Sequence, residues 1–104
     1  MLNSFFKLVG HEPVQCQNIQ EYIEWYMAAE IEGRRVAFTD IEKMRCIVST
    51  VFLGTAIIDF NDNSYLHFET MIIGGDLDGY TRRAKTWDEA VANHEEAINE
   101  LFKI

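Results

Sequence analysis

The chain has 104 residues, 48% of them apolar, with one proline and six glycines. That is enough to close one hydrophobic core, too little for a second, and unlike the compositions that stay disordered. Seventeen acidic against nine basic residues give a net charge of -8, which opposes direct binding to nucleic acid or an anionic membrane and leaves open docking in the basic groove of another protein.

The first 17 residues read as an arm or a short strand, with the FFKLV run followed by a turn at His11-Glu12-Pro13. Asn18 and Glu21 have the spacing of a capping box and open a helix. Its buried stripe is predicted at Ile19, Tyr22, Ile23, Tyr26 and Met27, its end at Gly33, and Glu21 and Glu24 lie off the stripe. Arg34 to Ile41 and Arg45 to Gly54 are β-rich and separated by Glu42-Lys43-Met44, which suits a hairpin. Asn61-Asp62-Asn63-Ser64 is the strongest turn signal, because Asn and Asp tolerate left-handed backbone and bond their own main chain. Tyr65 to Ile73 returns as a third strand, Gly74 to Gly79 turns again, and Tyr80 to Lys85 is an edge strand guarded by Arg82, Arg83 and Lys85.

Thr86 and Glu89 cap a second helix with apolar positions Trp87, Ala90, Val91, His94, Ala97, Ile98, Leu101 and Phe102. Its opposite face carries Asp88, Asn93, Glu95, Glu96, Asn99 and Glu100. The order predicts a single α+β domain over 1–104, an antiparallel meander of about four strands with an N-terminal and a C-terminal helix packed on one face. Alternation puts Val48, Thr50, Phe52, Leu66, Phe68, Thr70 and Ile72 toward the helices. Ser49, Val51, Leu53, His67, Glu69, Met71 and Ile73 then face the other way. Val51, Leu53, Met71 and Ile73 would make an exposed patch, either an interface or a seat for Phe5, Phe6 and Leu8 of the arm.

Few residues suggest chemistry, and the expectation is no enzyme, no cofactor and no bound metal. His67 and Glu69 share a strand face and could act as an acid-base pair or begin a metal site, yet a third and fourth ligand are missing. His94 on the apolar stripe reads as a core histidine bonded to a carbonyl or hydroxyl. Asp76, Asp78 and Gly79 read as turn residues, since the pattern stops short of a calcium loop. Ser49 and Thr50 sit mid-strand without a nucleophile elbow, and Cys16 and Cys46 lack a neighbouring histidine or metal-type spacing. No apolar run reaches the roughly 20 residues that span a bilayer, and the N-terminus lacks a secretory h-region. The expectation is an unprocessed protein of the host cell cytoplasm with reduced thiols.

Arg35-Val36-Ala37-x-Thr39, Val48-Ser49-Thr50-Val51-Phe52-Leu53-Gly54, Phe68-Glu69-Thr70-Met71 with Gly74-Gly75, and Thr86-Trp87-x-Glu89-Ala90 with His94 stand in series over about residues 20 to 102. In this order they resemble a family of small phage- and prophage-associated proteins of unknown function. The family often continues with Leu-Asp-His after the glycine of its first long strand, where this chain has Thr55-Ala56-Ile57. The resemblance implies a mobile-element setting and, through it, a non-enzymatic inhibitor of a host nucleic-acid-handling defence complex such as CRISPR-Cas. Glu21, Glu24, Glu95, Glu96 and Glu100 would meet a basic groove on that host protein or ribonucleoprotein. A homodimer packed through Val51, Leu53, Met71 and Ile73 is one alternative, and a small metal-dependent hydrolase using His67 and Glu69 is the other.

Overall fold

Asn18 and Thr86 start the two helices by the same local chemistry. In the computed structural model, which describes residues 4–103, Asn18 Oδ1 accepts the Glu21 N–H at 2.9 Å and Thr86 Oγ1 accepts the Glu89 N–H at 3.1 Å. The reciprocal arm of each box reaches one residue further back than the usual pattern. Glu21 accepts the Gln17 N–H at 2.8 Å and Glu89 accepts the Lys85 N–H at 3.0 Å. Helix α1 spans Ile19–Ala29 and helix α2 spans Trp87–Leu101. Helix α1 stops four residues before Gly33: Glu30 takes the left-handed φ of 53° there, and Gly33 falls in a separate 3-10 turn, Glu32–Arg34.

The N-terminal arm is a hairpin of β1 (Phe6–Val9) and β2 (Glu12–Gln15). The main sheet has four antiparallel strands in sequence order: β3 (Arg35–Ile41), β4 (Cys46–Asp59), β5 (Ser64–Gly74) and β6 (Thr81–Ala84). The architecture is therefore α+β, an antiparallel meander with helices at either end of the chain. The β4–β5 turn is built as its composition dictates. Asp59 accepts the Asn61 N–H, Asp62 accepts the Ser64 N–H, and Asn63 sits at φ 56°.

Strand β4 does not end at Gly54. It bulges, so that Phe52 faces Phe68 and the next pair is Ile57 with Leu66, leaving four residues of β4 against His67 alone. The bulge receives the arm: Ala56 N–H donates to Ser4 O at 2.8 Å, and Thr55 forms a bridge with Phe5. It also receives α1, because a Cβ on Gly54 would lie 3.0 Å from the Tyr22 hydroxyl, and its φ is 81°. One-to-one pairing with β5 fails beyond Phe52 for this tertiary reason, although burial along β4 goes on alternating through Ala56.

The core is two apolar clusters separated by a polar layer. Phe6, Phe52, Ala56, Phe68, Ala84 and Ala90 form one cluster; Cys46, Val48, Ile72, Ala97 and Leu101 form the other. Between them the buried Thr50 and Thr70 hydroxyls bond each other at 2.7 Å. Helix α2 spans all three layers, contributing Ala90, then His94, then Ala97 and Leu101.

Helix α1 is turned from its expected orientation. Trp25 stands edge-on to Phe52 with centroids 5.6 Å apart, and Phe5 stacks on Tyr22 at 5.0 Å. The packed face is thus Tyr22, Trp25, Tyr26 and Ala29, about 100° around the axis from the ridge of Ile19, Ile23 and Met27. That ridge is exposed, Ile23 at 50% and Met27 at 72%. The aromatic side wins because it buries more surface per residue and can pair with Phe52 and Phe5. Phe102, placed on the α2 stripe by its spacing, is likewise exposed just past the helix end.

Candidate functional site

The outer face of the sheet carries the first candidate surface. The register sets its rows: Asp40, Ile47 and Ile73; Phe38, Ser49, Met71 and Thr81; Arg35, Val51, Glu69 and Arg83. Phe38, Ile47, Val51, Met71 and Ile73 belong to neither buried cluster and pack against neither. Ile73 is 47% exposed and Phe38 46%. The arm packs elsewhere, with Phe6 against Tyr65 and His67 at ring distances of 5.1 and 4.4 Å and Leu8 against the first cluster. Val51, Met71 and Ile73 therefore stand together as expected. Leu53 does not join them by register, because it lies inside the bulge. Phe38 and Ile47 belong to the patch and were missed; alternation in β3 and β4 marks both, once their register with Ser49 and Ile73 is known.

The edges of this face are charged. Arg35 stacks over Phe38 at 4.6 Å and bonds Glu32 at 3.3 Å. Arg83 pairs with Glu69 at 3.1 Å. Asp40 has no cation within 4 Å among the described residues.

The second candidate surface is the outward side of α2. Asp88, Glu95 and Glu96 are exposed and Glu100 is half-buried. Arg82 approaches Glu96 at 3.9 Å and Lys103 approaches Glu100 at 3.1 Å, while Asp88 and Glu95 meet no cation within 4 Å among the described residues. Surface pairs of this kind exchange readily and leave their carboxylates available. Glu24 on α1 is exposed and accepts a hydrogen bond from Gln20. Glu21 is committed internally: Gln17 N–H donates to it and Lys7 lies at 3.5 Å, and these contacts lower its pKa. It caps a helix, so it leaves the set of contact residues. Glu21 and Glu24 also sit on α1, which packs at the arm, and do not extend the row on α2.

His67 and Glu69 do not form a shared site. The His67 ring lies among Phe6, Tyr65 and Phe52, its Nδ1 buried with no partner among the described residues, and burial lowers its pKa. Glu69 is held by Arg83 on the other side of the bulge. A small cleft of about 170 Å³ beside His67 is walled by His11, Glu12, Pro13, Lys85, Thr86 and Trp87. His11 stacks flat on Trp87 at 3.8 Å, and Lys85 is paired with Asp62. Those bonds from Lys85 and Ser64 hold the Asp62 carboxyl down to about 2. Among the described residues no group of three or more His, Cys, Asp or Glu is placed to hold a metal ion.

His94 is the core histidine its position implied. Its Nε2 hydrogen-bonds the Thr39 hydroxyl at 2.9 Å and its Nδ1 the Thr50 hydroxyl at 2.8 Å. Both ring nitrogens are satisfied inside the fold. Cys16 and Cys46 are buried thiols, and among the described residues neither is joined in a disulfide. Among the described residues no helix is long and apolar enough to cross a membrane. Comparison with protein-family models, with curated proteins and with solved structures finds no match to this chain.

Proposed function

We propose that the protein is a non-enzymatic binding protein of phage type, which seats the acidic face of α2 in the basic groove of a host complex that handles nucleic acid, and so blocks it. The observation that carries this reading is the row Asp88, Glu95, Glu96 and Glu100 on a helix anchored by Ala90, His94, Ala97 and Leu101. From Asp88 to Glu100 the helix rises about 18 Å, comparable to about five nucleotide steps of 3.4 Å along one strand. The row is part of the folded helix, so little ordering cost falls on binding. The net charge of -8 supplies long-range attraction to a basic groove, and the resemblance to phage-associated proteins supplies the setting.

The test uses a host whose CRISPR-Cas system restricts a susceptible phage. Expression of the protein is expected to restore plaque formation, and the Glu95→Gln, Glu96→Gln, Glu100→Gln variant to lose that effect while remaining folded. Undiminished restriction in cells that accumulate the folded native protein would contradict the proposal.

A further inference from the structure

The open outer face of the sheet is built for a specific occupant. A four-stranded face with strands about 4.8 Å apart and seven residues long covers roughly 19 by 24 Å. Its apolar residues surround Ser49, with Arg35 and Asp40 on the edge strand β3 and Glu69 on β5 paired to Arg83 on the other edge strand. Arg35 and Asp40 bracket Phe38 from opposite ends of β3. In the single chain Phe38 and Ile73 are exposed and Ile47, Val51 and Met71 half-buried, an apolar patch open to water on one side.

We infer that this face is the interface between two copies of the chain, related by a two-fold axis that runs across the strands near Ser49 and Met71. Two sheets packed face to face about a two-fold have two principal arrangements. With the axis across the strands, each strand lies over its own copy and the rows reverse. Asp40 then opposes the partner's Arg35, Ile47 opposes the partner's Val51, and Phe38 and Met71 each meet their own copies near the axis. With the axis along the strands, β3 lies over the partner's β6. Arg35 then approaches the partner's Arg83, and Asp40 has no cation opposite it. Charge complementarity selects the first arrangement, since it supplies two Asp40–Arg35 pairs and the second supplies a like-charge approach. The inner sheet face and α2 point away from this interface, so the dimer presents two acidic helices outward. The inference does not depend on what α2 binds.

The footprint lies at the low end of specific interfaces, so the dimer is expected to dissociate on dilution. Sedimentation of the full chain across a wide concentration range should show exchange between 12.1 kDa and twice that mass. Met71→Lys should abolish the larger species without loss of helical and sheet circular dichroism. Asp40→Arg should weaken dimerisation about tenfold, equivalent to about 1.4 kcal/mol, and the double variant Asp40→Arg with Arg35→Asp should regain at least part of that loss. A monomer at every concentration overturns the inference. So does a dimer indifferent to Met71→Lys, and a double variant no stronger than Asp40→Arg overturns the proposed orientation.

Discussion

His94 shows how one buried polar residue organises the core around it. The ring sits between Thr39 on β3 and Thr50 on β4, and Thr50 bonds Thr70 on β5, so three strands and a helix are tied in one layer. A one-residue slip of β4 would turn Thr50 outward and strand His94 Nδ1 and the Thr70 hydroxyl, at about 1–3 kcal/mol for each unsatisfied group. Because the threonine hydroxyls can turn, either neutral tautomer keeps every bond. Burial lowers the His94 pKa below its ordinary value of 6.5, with the nearby Glu95 carboxylate opposing that shift. The sign follows. Below about pH 6.5 the unfolded histidine binds a proton that the folded one resists, so the neutral buried ring contributes stability above 6.5 that is lost as pH falls. The His67 ring acts in the same direction through burial. Thermal unfolding between pH 7.5 and 5.5 should therefore show a midpoint falling with pH, more steeply in the native chain than in His94→Gln. Equal slopes in the two proteins would show that His94 does not resist protonation.

The two helices, similar in their caps, differ in how firmly they are held. Helix α2 buries Ala90, His94, Ala97 and Leu101, whereas α1 buries no residue fully and rests on Tyr22, Trp25 and Tyr26. Helix α1 should open locally while the sheet stays intact, so its amides are expected to exchange with deuterium well before those of α2. Protection of α1 equal to that of α2 would contradict this. The caps were legible in the sequence because Asn18 and Thr86 act on backbone three residues away. The strand order was legible because its turns carry their own chemistry. The orientation of α1 was not, since Ile19, Ile23 and Met27 make as good an apolar stripe as Tyr22, Trp25 and Ala29, and only contact with Phe52 and Phe5 decides between them. The bulge at residues 53 to 56 was hidden for a similar reason: it exists to seat the arm and Tyr22, both distant in sequence. With it went the cross-strand partner of Leu53 on β5. The contact patch was half legible, Met71 and Ile73 from alternation and Phe38 only from register.

At the scale of the whole molecule, the shape is extended for its length. The radius of gyration is 14.6 Å, against about 13 Å for a compact chain of this size. Its accessible surface is 6691 Å², against about 6,000 Å² for a compact monomer. Exposed apolar side chains include Phe38 and Ile73 on the outer sheet face, Ile23 and Met27 on the α1 ridge, and Phe60 of the β4–β5 hairpin, which is 87% exposed. Apolar side chains open to water and carboxylates concentrated on α2 fit the contact surfaces proposed above. The most direct measurement is competition in solution. A purified RNA-guided host complex is bound to its target DNA and titrated with the protein at several salt concentrations. The protein is expected to displace the DNA with an affinity that falls steeply with added salt, and Glu95→Gln, Glu96→Gln, Glu100→Gln to weaken it and flatten the salt dependence. DNA binding untouched by the native protein, or a variant that competes as well as the native chain with the same salt dependence, would contradict it.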